Sequence, residues 1–242
     1  MLCVAVVSRT KLLPTTGRGT MIDKQVGSCA EAMSEVRDGQ TILLGGFGAA
    51  GLPVHLIDAL MDSGARELTL VTNNAGGDGT PIATLIWERR VSKLVCSYPR
   101  SVDRANWVKE RWDDGSFELD LVPQGTLSER MRAAGAGLGG FFTPTAAGTL
   151  LAEGKETRMI DGRLQVFEEP LPGDIALIKA RYADRWGNLT YHKAARNFGP
   201  TMAAAAHTTI VEVDEVVELG TLDPEVIITP GIFVDKVVEV QA

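Results

Sequence analysis

The sequence predicts an α/β fold in which an open, mostly parallel β-sheet carries helices on both faces. Short apolar runs alternate with longer stretches of helical periodicity along most of the chain, and this pattern is typical of parallel strands joined by helices. Between residues 141 and 173 the alternation stops, and a hairpin signal takes its place. We therefore expect a single domain over residues 21–242, built on one sheet, with a β-hairpin excursion.

Apolar runs in the first half of the chain predict four strands, at residues 41–44, 68–72, 91–97 and 118–122. The segment 52–63 carries Leu56, Ile57 and Leu60 on one face and is followed by Gly64, which predicts an amphipathic helix with a glycine just past its end. A capping box begins at Thr126 and ends at Glu129, so a second helix is expected just after the preceding Pro-Gln-Gly turn.

The second half of the chain begins with the hairpin. Residues 156–168 form two strand-like arms around Asp161-Gly162, a dipeptide typical of two-residue hairpin turns. This hairpin is a flap, a subunit contact or surface decoration, and the sequence leaves these alternatives open. Three further apolar runs predict the strands that complete the sheet, at residues 175–180, 208–213 and 234–240.

The composition is that of an ordinary globular protein of 242 residues, 45% apolar and 23% charged. A net charge of −7 disfavours nucleic acids and anionic membranes as partners, and no apolar run approaches the roughly 18 to 20 residues of a membrane helix. Cys3, Cys29 and Cys96 form no Cys-x-x-Cys pair and the three histidines are scattered, so we expect neither a metal site nor a disulfide framework. A reducing, cytoplasmic setting fits these cysteines.

The first twenty residues differ from the rest of the chain. They contain Arg9, Lys11 and Arg18 but no acidic residue, and they have no periodicity. We expect residues 1–20 to be a disordered N-terminal extension. A transit peptide, which would also be basic and free of acids, is an alternative.

A glycine-rich loop follows the first predicted strand and precedes Pro53, which opens the helix. Glycines allow unusual backbone dihedrals and let a ligand approach the backbone N–H groups closely. A helix N-terminus directly behind such a loop favours an anion or a developing oxyanion. The candidate binding residues of this loop are Gly45, Gly46, Phe47, Gly48, Ala49, Ala50 and Gly51.

Two other interpretations of the loop compete with an oxyanion site. Gly46, Gly48 and Gly51 match the G-x-G-x-x-G dinucleotide fingerprint, but that fingerprint requires an acidic residue about 20 positions further on. The next predicted strand runs instead into Asn73-Asn74-Ala75-Gly76-Gly77, which contains no carboxylate. The third possibility is a tight strand-to-helix turn that binds no ligand.

Short motifs spread over residues 21–240 resemble the A-type subunits of the family I coenzyme A transferases. They are DG (38–39), GGF (45–47), GLP (51–53), VTNNAG (71–76), PQGT (123–126), AARNF (194–198) and TPGIFV (229–234). Three further segments are similar to the members of the family that use 3-oxoadipate as acceptor. These are VCSYPR (95–100), AEGKETR (152–158) and DRWGNLTY (184–191).

The resemblance implies an enzyme that moves coenzyme A from an acyl-CoA, typically succinyl-CoA, to a 3-oxo acid. In this family the nucleophile is a glutamate of a B-type subunit, so no catalytic residue is expected on this chain; Glu153, in a charged stretch, is expected to be solvated. The implied partner is a B-type subunit, with two copies of each chain, and the coenzyme A thioesters are substrates rather than bound cofactors. Acetoacetate as the acceptor, or a non-catalytic acyl-CoA-binding or sensing module, are the alternatives.

The same resemblance points to polar side chains at the ends of predicted strands. Asn73, Asn74 and Gln124 have amides that can donate to a thioester or carboxylate oxygen, although turn formation alone would also explain them. Arg100 is the candidate that binds the second carboxylate of 3-oxoadipate, and a solvated surface arginine is its alternative. Arg196 and Asn197 are assigned to structure or to a subunit interface, and the histidines receive no catalytic role.

Overall fold

The computed structural model describes residues 21–99 and 107–241. Its larger sheet has eight strands, seven of them in the order β11-β10-β8-β1-β2-β3-β4 with every neighbouring pair parallel, and β9 pairs with β8 in the antiparallel sense. A separate antiparallel sheet has the order β5-β7-β6. In chain order the strands are β1 (Thr41–Leu44), β2 (Leu68–Asn74), β3 (Val91–Tyr98), β4 (Glu118–Leu121), β5 (Phe141–Thr143), β6 (Thr157–Ile160), β7 (Arg163–Glu168), β8 (Gly173–Asp184), β9 (Leu189–Thr190), β10 (Ala206–Val217) and β11 (Lys236–Glu239).

Helices cover both faces of the larger sheet, as the sequence predicts. They are α1 (Cys29–Ala32), α2 (Val54–Asp62), α3 (Pro81–Trp87), α4 (Trp107–Asp113), α5 (Gln124–Gly135) and α6 (Gly199–Ala205). Because side chains alternate along a strand, Ile42 and Leu44 of β1 join the core beneath α1 to α4, whereas Leu43 joins the core beneath α5 and α6. The predicted α/β class with an open, mostly parallel sheet is confirmed.

The predicted elements agree with the structure where the signal is local. β1 has the expected bounds, and α2 ends at Asp62 with Ser63 as its cap and Gly64 at φ +78° beyond it. In contrast, β8 and β10 are 12 residues long, about twice their predicted length. They continue past the end of β1 and pair with each other as far as Asp184 and Val217. Charged residues interrupt the apolar pattern there, so the extension gives no hydrophobic run.

The predicted start of α5 is wrong. The helix begins at Gln124, directly after Pro123, and the N–H of Leu127 donates to the Pro123 carbonyl at 2.8 Å. Thr126 is therefore buried in the first turn rather than capping it, and Glu129 forms an ion pair with Arg132 at 2.6 Å. The capping-box pattern is present in the sequence but is not used.

The predicted hairpin is confirmed. β6 and β7 are joined by Asp161 and Gly162, with φ values of +49° and +72° that suit a type I′ turn. The short strand β5 extends the hairpin to three strands, which the sequence analysis does not predict. Whether the hairpin acts as a flap or a contact remains a prediction.

Candidate active site

The polar residues selected from the sequence meet at one edge of the sheet. β1, β2, β3 and β4 are parallel neighbours, so the segments that follow them emerge side by side. The glycine loop follows β1, Asn73 and Asn74 end β2, and Gln124 begins α5 just after β4. This is the edge at which open α/β sheets bind ligands.

Three side-chain amides form a hydrogen-bonded chain that reaches the glycine loop. Gln124 Nε2 donates to Asn73 Oδ1 at 2.5 Å, and Asn73 Nδ2 donates to Asn74 Oδ1 at 3.2 Å. The same Asn74 oxygen accepts the backbone N–H of Gly48 at 3.0 Å. The structure therefore brings the three predicted amide residues together, and it leaves Asn74 Nδ2 without an acceptor among the described residues.

The glycine loop is a tight reversal of the chain. The backbones of Phe47 and Ala50 exchange two hydrogen bonds, of 3.0 and 3.2 Å, around Gly48 and Ala49. Gly48 has φ +59°, a left-handed conformation that favours glycine. Gly51 is also left-handed, with φ +68°, and a side chain there is excluded for a second reason, since a Cβ would lie 2.2 Å from the carbonyl oxygen of Ala195.

Most of the loop N–H groups already have protein acceptors. The N–H of Gly45 donates to Leu177 O and that of Gly46 to Asn197 Oδ1, in addition to the bonds of Phe47, Gly48 and Ala50. The N–H groups of Ala49 and Gly51 have no acceptor among the described residues, and of the two residues only Ala49 is exposed. The loop thus offers a ligand one exposed amide and a fixed shape, rather than the row of donors that its glycine content suggests.

The N-terminus of α2 is also occupied by the protein itself. Glu212 of β10 is fully buried, and its Oε2 accepts the backbone N–H of Leu56 in the first turn at 3.0 Å. Its Oε1 lies 3.3 Å from Lys179 Nζ and 3.5 Å from His55 Nδ1. A carboxylate of this chain therefore already interacts with this helix end, and the predicted ligand anion there stays a prediction. The sequence signal for this buried carboxylate is that Glu212 is a lone acid within the apolar run of residues 210–213.

A cavity of about 610 Å³ lies between the glycine loop and the start of α3. Its walls are largely apolar and include Phe47 and Tyr98, which are 52% and 53% exposed. Ala49 contributes an exposed backbone N–H, and the polar side chains of the lining are those of Asn73, Asn74, Thr80 and Tyr98. None of the described residues that line it is charged. The cavity therefore suits an uncharged, mostly apolar chain with a carbonyl group near the asparagines.

Among the described residues, no carboxylate, thiol, imidazole or amine side chain lines this cavity. Burial raises the pKa of the Cys96 thiol in β3 to about 12, so this thiol stays protonated at neutral pH. The buried carboxylates of Glu168 and Asp184 are held by Lys155 at 2.7 Å and by Asn188 at 2.8 Å. Glu153 is exposed in a turn, as predicted. Within the described residues, no group of His, Cys, Asp or Glu side chains could hold a metal ion.

The remaining predicted residues have different outcomes. Arg100 and residues 1–20 lie outside the described residues, so their predictions stay untested. Asn197, assigned to structure from the sequence, bonds directly to the glycine loop. No helix in residues 21–99 and 107–241 is long and apolar enough to cross a membrane.

Known proteins resemble this chain over most of its length. A sequence profile of the coenzyme A transferase family matches residues 26–240. The chain belongs to the coenzyme A transferase family. It is 59% identical to the A-type subunit of the 3-oxoadipate CoA-transferase of Pseudomonas putida over 220 residues, which cover 91% of this chain and 95% of that one. It is 45% identical to the A-type subunit of a probable succinyl-CoA:3-ketoacid coenzyme A transferase of Bacillus subtilis over 215 residues, 89% of each chain.

Solved coenzyme A transferases have the same fold. The acyl-CoA transferase of Escherichia coli O157:H7, in a thioester complex with CoA, superposes with a TM-score of 0.79 at 23% identity. The match covers 90% of this chain but 47% of the Escherichia coli chain, so this coenzyme A transferase chain corresponds to about half of that one.

Proposed function

We propose that this chain is the A-type subunit of a coenzyme A transferase that moves coenzyme A from succinyl-CoA to 3-oxoadipate. The observation that carries the proposal is a cavity with positioned amide donors and no carboxylate among its described lining residues. Such a cavity can bind a thioester and stabilise an oxyanion, but it needs a nucleophile from another chain. A B-type subunit supplies that glutamate.

The reaction proceeds by covalent catalysis. A carboxylate oxygen of the partner's glutamate attacks the thioester carbon of succinyl-CoA. The C–S bond breaks, the CoA thiolate departs, and an acyl-glutamyl anhydride forms. The thiolate then attacks the glutamyl carbonyl of this anhydride, which releases succinate and forms a glutamyl-CoA thioester. The carboxylate of 3-oxoadipate attacks this thioester, and the same steps in reverse order produce 3-oxoadipyl-CoA and regenerate the glutamate.

The residues of this chain act on the oxyanions and on water. Ala49 N–H and Asn74 Nδ2 are donors beside the cavity that lack acceptors among the described residues, and each tetrahedral intermediate requires such donors. Gln124, through Asn73, keeps Asn74 oriented. Phe47 and the other apolar walls keep water from the anhydride, whose hydrolysis would waste the donor thioester. The loop of residues 45–51 thus contributes to one wall of the thioester site through Phe47, Gly48 and Ala49.

The assembly and setting are part of the same proposal. Subunit names in the relatives support a complex with a B-type chain, and we propose two copies of each. The chain folds as one domain over residues 21–242 and works in the cytoplasm, with coenzyme A thioesters as substrates and no permanently bound cofactor. The higher identity to the 3-oxoadipate enzyme, 59% against 45% for the 3-ketoacid enzyme, favours 3-oxoadipate as the acceptor.

The proposal is tested with the chain alone, a B-type subunit alone and the mixture. Thioester transfer from succinyl-CoA to 3-oxoadipate is expected only in the mixture, where sizing should give a complex of two plus two chains. Borohydride reduces a thioester to an alcohol, so treatment during turnover should inactivate the complex and modify a glutamate of the partner subunit. Transfer by this chain alone, or modification on this chain, would contradict the proposal.

The same assay separates the alternatives. Another 3-oxo acid, such as acetoacetate, is the acceptor if its kcat/KM exceeds that of 3-oxoadipate in the mixture. A binding or sensing module would bind acyl-CoA without transferring it to any acceptor, with or without the partner.

A further inference from the structure

We propose that Asn197 is a positioning residue of the transfer reaction, whose side chain holds the glycine loop in the shape that presents Ala49 N–H to the substrate. The inference rests on the proposed function, since it assigns a task within that site. Asn197 itself is not among the described residues that line the cavity, so it acts through the loop.

The Asn197 side chain uses both ends of its amide on the loop. Its Oδ1 accepts the N–H of Gly46 at 3.1 Å, and its Nδ2 donates to the carbonyl oxygen of Ala50 at 3.0 Å. Gly46 and Ala50 stand on either side of the reversal at Phe47, Gly48 and Ala49. One side chain therefore fixes both ends of the segment that carries the exposed amide.

The same amide is anchored to its own turn. Oδ1 also accepts the N–H of Phe198 at 2.7 Å, and Nδ2 donates to Ala195 O at 3.0 Å. With bonds on both sides, the side chain cannot follow the loop if the loop moves. A half-buried amide with this many partners has a defined orientation, which is what a positioning group requires.

The backbone of Asn197 adopts an unfavourable conformation. Its φ of +24° and ψ of −118° lie outside the regions that side-chain-bearing residues normally occupy. Such conformations persist only where the surroundings impose them, and they cluster at functional sites. Glycine would relieve the backbone, but it would remove all side-chain contacts to the loop.

The glycine loop packs tightly against this turn. A Cβ at Gly51 would lie 2.2 Å from Ala195 O and 2.6 Å from Asn197 Nδ2. The loop therefore lies directly on the turn that ends at Asn197. Loss of the amide would open a gap at this contact and free both ends of the reversal.

The test compares three substitutions in the complex with the B-type subunit. Asn197→Ala removes all side-chain bonds, Asn197→Asp keeps the acceptor but replaces the donor toward Ala50, and Asn197→Gly removes the side chain while relieving the backbone. We expect kcat to fall about 10- to 100-fold in all three, with little change in KM, because displaced donors affect the transition state most. Asn197→Gly should have a higher melting temperature than Asn197→Ala, because glycine relieves the backbone, but its kcat should be equally low.

Asn188 provides a matched control. It also clamps a loop at this edge of the sheet, where its Oδ1 accepts Gly231 N–H at 2.9 Å and its Nδ2 donates to Asp184 at 2.8 Å. Asn188→Ala should lower the melting temperature without lowering kcat. Hydrogen exchange of peptides that cover residues 45–52 should accelerate at least about tenfold in Asn197→Ala and remain unchanged in Asn188→Ala.

The two proposals fail in different ways. If the wild-type complex transfers no coenzyme A, the proposed function is wrong, whereas hydrogen exchange still measures the clamp. If the wild type is active and Asn197→Gly or Asn197→Ala keeps its kcat, the positioning role is wrong. Unchanged exchange of the loop in Asn197→Ala would overturn it as well.

Discussion

Asn74 and Gly48 connect the ends of two neighbouring strands. The side-chain oxygen of Asn74, the last residue of β2, accepts the N–H of Gly48 in the loop after β1 at 3.0 Å. Because that oxygen is engaged by Gly48 and Asn73, the Nδ2 group is turned away from both and remains available beside the cavity. One side chain thus braces the loop and supplies a donor.

Substitutions of Asn74 can separate its contact with the loop from its role as a donor. Asn74→Asp keeps the oxygen that binds Gly48 but loses the Nδ2 donor, whereas Asn74→Ala loses both. Loss of one oxyanion donor typically costs about 100- to 1,000-fold in kcat, so we expect both variants to fall in this range, with the loop more mobile only in Asn74→Ala. Steady-state kinetics and hydrogen exchange of the reconstituted complex measure the two effects. A wild-type kcat in Asn74→Asp would mean that Asn74 serves the loop alone.

Gly48 offers a second test, with Gly39 as its control. Both have positive φ, +59° and +77°, and a Cβ at either position would meet no atom within 4 Å. Alanine at each should lower the free energy of unfolding by about 1 kcal/mol for the left-handed conformation. Only Gly48 lines the cavity, so Gly48→Ala should also lower kcat/KM about tenfold, since a methyl group obstructs the thioester. Equal kcat/KM values in Gly48→Ala and Gly39→Ala would reduce the loop to a plain turn.

The fold could be predicted where the information is local. The apolar run of β1, the face of α2 and the Asp161-Gly162 turn each identify their element within a few residues. The start of α5 was missed because Pro123, which has no N–H, fixes the chain just before the helix, and this effect prevails over a capping box three residues later. The lengths of β8 and β10 were missed because each is set by pairing with the other.

The candidate site could also be predicted from the sequence only in part. Asn73, Asn74 and Gln124 could be grouped from the sequence because parallel strands bring their ends to one edge. The contacts of Asn197 with Gly46 and of Glu212 with Leu56 join residues 151 and 156 positions apart. The lone acid in the apolar run of residues 210–213 marks a buried carboxylate, but no local pattern identifies the partner that either side chain contacts. These long-range contacts determine which backbone donors remain for a ligand. A prediction from the glycine content alone therefore gives too many free donors in the loop.

Arg100 carries the prediction on acceptor choice, which comes from the sequence alone. The described walls of the cavity contain no charged group, so the second carboxylate of 3-oxoadipate needs a cation from elsewhere. If Arg100 provides it, Arg100→Met should lose roughly 1.5 to 3 kcal/mol of transition-state binding for 3-oxoadipate, the scale of a charged hydrogen bond, and almost none for acetoacetate. The ratio of kcat/KM for the two acceptors measures this loss.

Exposed Arg66, which precedes β2 at the opposite edge of the sheet, is the control for Arg100. Arg66→Met should leave kcat/KM for both acceptors unchanged. An equal loss for both acceptors in Arg100→Met would assign Arg100 to the fold or to coenzyme A, and the cation would then have to come from the partner subunit.

Phe47 should control how often the anhydride is lost to water. Its ring lines the cavity although the residue is 52% exposed, so Phe47→Ala should leave the free energy of unfolding within about 0.5 kcal/mol. Without the ring, water can reach the anhydride, and we expect the ratio of succinyl-CoA hydrolysis to transfer to rise about tenfold, because a closed apolar site suppresses this side reaction.

Phe47→Leu, which keeps apolar bulk, should give an intermediate ratio. Leu138→Ala, an exposed apolar residue beyond the far end of α5, should not change it. Separate measurement of free coenzyme A and of the acyl-CoA product gives the ratio. If Phe47→Ala slows hydrolysis and transfer equally, the ring positions the substrate and does not exclude water.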